Sequence, residues 1–457
     1  MQTAKQFDPD KPQFDVLAQI NLHAAGIDIG ADEIYVAVPA GRDTQNVRSF
    51  GTFTVDLQAI AQWLQACRVE TVAMEATGVY WVPLYEMLEH HGFRVNLINA
   101  RHIKNVSGRK SDVLDCQWIQ QLHTYGLLQA SFRPPEDICA PRSLVRHRDM
   151  LLKYRGSHIQ HMQKALELMN IKLTNVISDI TGVTGMEIIR SIIAGEHSPA
   201  ILAQFRDGRC KKSEDEIAKS LEGNYRSEHL FVLQQAIELY DFYNQQIQAC
   251  DRQLEARYSQ FELPDQPGTP APESYKTKRS KNSPSFDLSQ ALYRLTGVDL
   301  TQVDGLEALS VQTILTEIGT DMSKWPTVKH FTSWLGVAPN NKITGGEVKS
   351  RSTKKTKNRA NTAFRRAAQS LARSQSASGA FYRRIRAKHG ATVAVTATAH
   401  RLARIVYFML LRREPYRDLG ADYYDKQHQE RAIRNLKRRA AQLGLRLEPI
   451  PSDQRVS

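Results

Sequence analysis

The segment Ala24-Ala25-Gly26-Ile27-Asp28-Ile29-Gly30 constrains this chain more than any other. It is a short apolar run ending on an acid and a glycine, and Ile34-Tyr35-Val36-Ala37-Val38 follows at hairpin distance. Both read as strands, and residues 47–55 alternate loosely as a third. Residues 57–67, with Leu57, Ile60, Ala61 and Leu64 at 3–4 spacing, predict a helix. Val69 to Met74 predicts a strand ending at Glu75. A helix over 80–91, a strand over 94–98 and a helix over 112–125 beginning at Asp112 follow. Three strands, then alternating helices and strands, define an α/β domain at 22–130: a mixed sheet covered by helices.

The rest of the chain changes character. Residues 1–21 read, from the sequence, as a flexible polar arm. Over 131–263 there are few strand signals, and Leu144, Met150, Leu151, Tyr154, Ile159, Met162, Leu166 and Leu168 recur at 3–4 spacing, as do the apolar residues of 230–254. This predicts two long helices that pair with each other or with another subunit. Residues 264–285 crowd proline, serine and lysine and read as a linker or disordered loop. A mostly α-helical domain over 286–411 and a basic helical tail over 412–457 complete the chain.

Charge narrows the partner. The 457 residues carry 61 Lys plus Arg against 48 Asp plus Glu, a formal +13, which fits a polyanion. No apolar run reaches the roughly 18 residues of a membrane span, and Ile405 to Leu411 is closed by Arg404 and Arg412. The first residues hold no apolar signal core, so no membrane partner is expected. Five scattered cysteines without a CxxC pair indicate neither a disulfide framework nor a cysteine zinc site, and a reduced cytoplasmic setting is the simple expectation.

Four acids of the first domain form a candidate site. Asp28 and Glu75 close two strands, and Asp112 and Asp115 stand three apart at a helix start, where both can face one side. Sheet ends gather sites in open α/β folds. Converging carboxylates repel unless a cation neutralises them, and hard oxygen ligands suit Mg2+ or Mn2+. Such a site can hold a phosphodiester and activate an attacking oxygen. Each acid alone also serves as a strand-end or helix cap. The Asp-Ile-Gly turn could equally serve ATP in a kinase-like sheet, but no further glycine-rich phosphate loop is present. Asp32, Glu33 and Asp43 read as turn or surface residues. Lys104, Arg109 and Lys110 could hold phosphate beside the acids, or merely be solvated.

The third region carries two further signals. Leu295-Thr296-Gly297-Val298 and Val303-Asp304-Gly305-Leu306 could offer backbone N–H groups to a phosphate, or be plain helix turns. Trp325, Phe331 and Trp334 fall at helical spacing and read as core. Between Lys342 and Arg373 there are ten Lys or Arg and one acid, Glu347. Lys349, Arg351, Lys354, Lys355, Lys357, Arg359, Arg365, Arg366 and Arg373 are the candidate nucleic-acid contacts. A helix from about Arg359 would pack Ala363, Ala367 and Leu371. Ahead of it, the Gly345-Gly346 pair predicts an open, mobile backbone with an exposed hydroxyl at Thr344, and Ser350 and Ser352 share that loop.

Taken in this order, the segments resemble the IS110-family transposases, specifically the IS1111-like branch. GIDIG with Asp28, MEATG with Glu75 and KSDVLD with Asp112 and Asp115 resemble the family's RuvC-like DEDD domain. VDGL, LTEIGTDMSKWPTVKHFTSWLGVAPNNKITGG, ASGAFYRRIRAKHG and TATAHRLARIVYFML resemble its C-terminal serine-type transposase domain, and the likeness runs from about 22 to 430. The resemblance implies a RuvC/RNase H-like fold and a DNA recombinase that excises and inserts its own element. It implies magnesium-bound acids paired with a C-terminal serine that attacks DNA and becomes covalently joined to it. It also implies a site shared between subunits of a dimer or tetramer, middle helices that serve assembly, and a structured non-coding guide RNA. The partners are then that RNA and the double-stranded DNA of the element's ends, junction and target.

One residue departs from the pattern. The family has serine before the glycine pair, where this chain has Thr344. Threonine keeps the hydroxyl, but its methyl restricts the rotamer and crowds in-line attack. Three readings follow: Thr344 acts, Ser350 or Ser352 replaces it, or this copy is impaired and only binds nucleic acid. A metal-dependent nuclease or junction resolvase of similar fold is the alternative activity.

Overall fold

The computed structural model describes residues 18–76, 78–99, 112–265, 267–272, 280–350 and 352–448, the Asp112 side chain excepted. The chain forms two compact units, Met1–Arg133 and Pro134–Ser457.

The first unit is built on a five-stranded sheet, ordered β3-β2-β1-β4-β5. Its strands and helices run β1 (Ala24–Ile29), β2 (Ile34–Ala37), β3 (Val47–Phe50), α1 (Thr54–Ala66), β4 (Thr71–Glu75), α2 (Trp81–His90), β5 (Arg94–Ile98) and α3 (Asp112–Thr124). β1, β2 and β3 form an antiparallel meander, while β4 and β5 add in parallel on the other side of β1. Alternation along each strand sorts side chains to two faces. Ala25, Ile27, Ile29, Val36, Val72 and Met74 pack under α1 and α2, against Leu57, Ile60, Leu64, Leu84 and Leu88. On the opposite face Ala73 and Ile98 pack against Ile119 of α3.

The expected third strand over 47–55 is shorter, and the helix begins earlier. Asp56 accepts the Phe53 N–H at 3.0 Å, so the chain turns into α1 at Thr54. A side chain at Gly51 would stand 2.4 Å from that carboxylate.

In the second unit, α4 (Glu136–Leu168) and α5 (Ser227–Ser259) are 33-residue helices that lie antiparallel along each other. The partner pairs fix the direction: Arg148 with Asp251, and Arg155 with Asn244 at 2.8 Å. Arg148 and Asp251 are both buried, and Asp251 also accepts the Ser285 N–H at 3.1 Å. Four short helices between 173 and 220 close over the far ends of the pair around Met162, Leu166, Ile188, Ile192, Leu233 and Ile237. Of the two expected pairings, this chain's own long helices provide one.

The remaining elements are α6 (Leu288–Thr296), α7 (Ala308–Ile318), α8 (Val328–Trp334), β6 (Lys342–Thr344), β7 (Glu347–Ser350), α9 (Arg359–Ser370), α10 (Ala377–His389), α11 (Ala391–Arg412) and α12 (Gly420–Gln442). Arg142 and Arg146 of α4 both donate to the buried Glu317 carboxylate of α7, tying the long helices to this part. Trp325 and Phe331 are core residues, as expected, with the Tyr407 hydroxyl donating to the Trp325 carbonyl at 3.0 Å. Part of 264–285 is packed, unlike a free linker. Thr269 is buried, its carbonyl accepting the Tyr293 hydroxyl at 2.6 Å and its hydroxyl accepting the Asp299 N–H at 2.8 Å. Among the described residues α11 alone is long and apolar enough to cross a membrane by length and composition. Its buried residues, including Leu402, Ala403 and Val406, pack against α8, α9 and α10.

Candidate active site

The acid face begins with a missing side chain. At Gly26 a Cβ would meet the Gln120 backbone nitrogen at 2.2 Å and the Cys116 carbonyl at 2.3 Å. Glycine therefore lets α3 lie directly on β1. Gln120 also donates to the Ala24 carbonyl at 3.3 Å, so α3 runs back along β1: residue 120 reaches its start and 116 its middle. Asp28 is two residues beyond Gly26 and projects to the same face.

Parallel pairing brings in the second acid. Gly26 sits opposite Ala73 and Ile27 opposite Met74, so the next pair in register is Asp28 and Glu75. On this face Thr71 and Ala73 precede Glu75. Thr71 hydrogen-bonds the buried His123 of α3 at 2.9 Å, and burial pushes that imidazole down to about 4. Asp28 and Glu75 are thus neighbours on the side that α3 covers.

Asp115 comes from α3 itself. It precedes Cys116, whose thiol is fully buried. Burial pushes that thiol up to about 12, and the nearby Asp28 carboxylate and, less strongly, that of Asp115 add to the rise. Asp115 stands on the turn of α3 that runs toward the Asp28 end of β1. Asp112 opens α3 one turn before Cys116, toward the Asp28 end of β1. Its side chain lies outside the described residues, as do Lys104, Arg109 and Lys110. Among the described residues no three carboxylate, imidazole or thiol groups are grouped to hold one ion. Asp28, Glu75 and Asp115 are nonetheless all carboxylates, the chemistry that hard divalent ions require.

Asp43 does more than turn the chain. It accepts from the Trp63 indole at 2.9 Å, the Gln45 N–H at 3.0 Å and Arg48 at 2.8 Å, and these bonds, the indole's first, hold its carboxyl far below the usual range.

Thr344 lies on a hairpin. β6 and β7 pair antiparallel, with Thr344 opposite Glu347, and Gly345 and Gly346 form the two-residue turn at φ 58° and 78°. Two consecutive positive φ angles are what a tight hairpin of this hand demands. The glycine pair therefore closes a tight turn, and the space around it is open, as expected. The expected exposure of Thr344 does occur, along the whole of β6. Ser350 and Ser352, at the hairpin's base, bond each other at 3.0 Å.

Of the basic candidates, Lys349, Lys354, Lys355, Lys357, Arg366 and Arg373 are exposed, and Arg351 lies outside the described residues. Arg359 pairs with Asp149 at 3.2 Å, and Arg365 donates to Asn361 at 2.8 Å. Ala363, Ala367 and Leu371 are buried, as the periodicity predicts. The Val303–Leu306 turn suits a phosphate poorly. Its concavity, about 710 Å³, is lined by Asp287, Asp299, Asp304 and Glu307, which would repel an anion.

The mixed sheet in this order, covered by α1 and α2 on one face and by α3 on the acid face, defines a RuvC/RNase H-like domain, joined to a long-helix region and a mostly helical C-terminal part. Residues 25–171 match the family model of the IS110 DEDD transposases, and residues 299–383 that of the transposase IS116/IS110/IS902 family. The chain belongs to the IS110/IS902-type transposases and has their DEDD-type N-terminal domain. No curated protein matches it. Members of this family act on DNA, and DEDD-type domains generally use divalent metal ions.

Proposed function

We propose that this chain is an RNA-guided DNA recombinase that excises and inserts its own element through a covalent protein–DNA intermediate. The observation that carries the reading is the register of Asp28 with Glu75 on the sheet face to which α3 adds Asp115. Asp28, Glu75, Asp112 and Asp115 would hold one or two Mg2+ or Mn2+ ions. Such ions neutralise the acids and the scissile phosphate and favour the developing alkoxide. The carboxylates fix where that phosphate sits.

Thr344 supplies the nucleophile. Its Oγ forms a bond to phosphorus, a DNA hydroxyl leaves with the proton, and the phosphodiester energy is kept for rejoining. The hairpin suits this role because its tip is exposed and its two glycines leave room for a backbone at the hydroxyl. The basic residues from Lys349 to Arg373 hold the strands, and the surplus positive charge serves both DNA and a structured guide RNA. A dimer or tetramer in the cytoplasm, with acids and hydroxyl from different subunits, completes the reading.

A trapping assay tests it, with junction DNA, flanking RNA and magnesium. Wild type should yield a covalent protein–DNA adduct that Thr344→Ala loses and Thr344→Ser keeps or strengthens. Asp28→Ala should lower adduct formation by at least 100-fold, on the order of 3 kcal/mol, with RNA binding retained. An adduct surviving Thr344→Ala moves the nucleophile to Ser350 or Ser352. Cut DNA without any adduct identifies a hydrolytic nuclease or resolvase. Bound RNA with neither product identifies an impaired copy.

A further inference from the structure

We propose that the cleft between α10 and α12 binds an unpaired nucleotide of an RNA strand. The cleft measures about 340 Å³ and is lined by Arg384, Tyr424, Gln427, His428, Arg431 and Asn435. The α12 members recur at 3–4 spacing and so form one stripe facing α10.

Two arginines share one aromatic pair beside the cleft. The Arg384 guanidinium lies 5.7 Å from the Phe381 ring centre and 5.5 Å from that of Tyr424. Arg401 of α11 lies 5.4 Å and 5.3 Å from the same rings. Arg384 also donates to the Tyr424 hydroxyl, at 3.0 Å from Nε. Among the described residues neither arginine, nor Arg404 or Arg431, has an ion pair with a carboxylate. The nearby Asp418 carboxylate instead accepts the Ala377 and Gly420 N–H groups. Arg384 and Arg431 line the cleft without a carboxylate counter-ion, and an anion bound there supplies one, while Arg401 and Phe381 line a neighbouring hollow. The Tyr424 hydroxyl accepts from Nε and Nη2 of Arg384, which fixes the guanidinium and leaves its remaining N–H groups for a phosphate.

The ligand class follows from size and lining. A cleft of this volume has no room for a duplex but takes a single nucleotide. Arginine planes, Tyr424 and the half-buried His428 offer stacking surfaces, while Gln427 and Asn435 offer the donors and acceptors that read a base edge or a 2′-hydroxyl. Splayed, unpaired nucleotides are what structured RNA presents in loops and bulges. The inference takes its ligand class from the nucleic-acid reading above but uses none of the acids or Thr344.

Fluorescence anisotropy on the full chain without divalent metal tests it, using short unpaired RNA, the same sequence as single-stranded DNA, and duplex DNA. Arg384→Gln should weaken unpaired RNA about tenfold, and duplex DNA less than about twofold. Arg431→Gln, at an exposed site that should not disturb folding, should lower the RNA salt slope by about one. A 4-thiouridine-bearing RNA should crosslink to Tyr424 or His428 in the unaltered protein. Unchanged RNA binding, or crosslinks confined to other helices, overturns the proposal. Equal losses for RNA and single-stranded DNA overturn the RNA assignment. Loss of adduct in Asp28→Ala bears on the recombinase reading alone, so the two stand or fall separately.

Discussion

At the residue scale, Gly26 decides whether the acid face exists. The α3 backbone occupies the space that any side chain there would need, and backbone cannot turn aside as a flexible side chain can. Gly26→Ala must push α3 off β1, moving Asp115 away from Asp28. The expected cost is roughly 1–3 kcal/mol of stability, together with loss of DNA cleavage. Hydrogen exchange should show faster opening in α3 and little change in α4 and α5. Unaltered exchange and cleavage would mean that the helix is not seated as described. Thr344 and Gly346 illustrate the opposite case, since a Cβ at Gly346 meets nothing within 4 Å. What glycine supplies there is the positive φ of the turn.

At the element scale, the antiparallel α4–α5 pair rests on apolar seams with one buried charge pair between them. Arg148 and Asp251 are both taken out of water, and each is tolerable only beside the other. Arg148→Met should cost about 3–5 kcal/mol, because Asp251 is then left charged and buried. Arg148→Met combined with Asp251→Leu should recover most of that loss, apart from the bond to the Ser285 N–H. Denaturant unfolding of the single and double variants measures the coupling, and additive losses would contradict the pairing. The hydrophobic spacing announced two long helices, but it did not choose their partner. That choice depends on contacts about a hundred residues apart, such as Arg148 with Asp251.

At the scale of the whole molecule, the net charge of +13 sets how the chain meets nucleic acid. Much of that affinity should come from released counter-ions and fall with salt. Lys354→Gln with Lys355→Gln should reduce the slope of log K against log salt for duplex DNA by about two, with melting unchanged because both residues are exposed. Anisotropy across a salt series reads this directly. An unchanged slope would remove the segment after the hairpin from the DNA surface.

The strands of the first unit, the helix at 112, the helix from Arg359 and the core role of Trp325 and Phe331 were all legible in the sequence. Each depends on periodicity, on a terminal acid or glycine, or on local charge, properties that neighbouring residues carry among themselves. The sequence also supplied the acids at the strand ends and the hydroxyl before a glycine pair. Tertiary structure alone decided that Gly26 seats α3, that Asp28 and Glu75 fall in register and that α4 pairs with α5. It also gathered Arg384, Tyr424, His428 and Arg431 around one cleft. These features join segments far apart in the chain, and their energies come from close approach and shared burial, which no local pattern encodes.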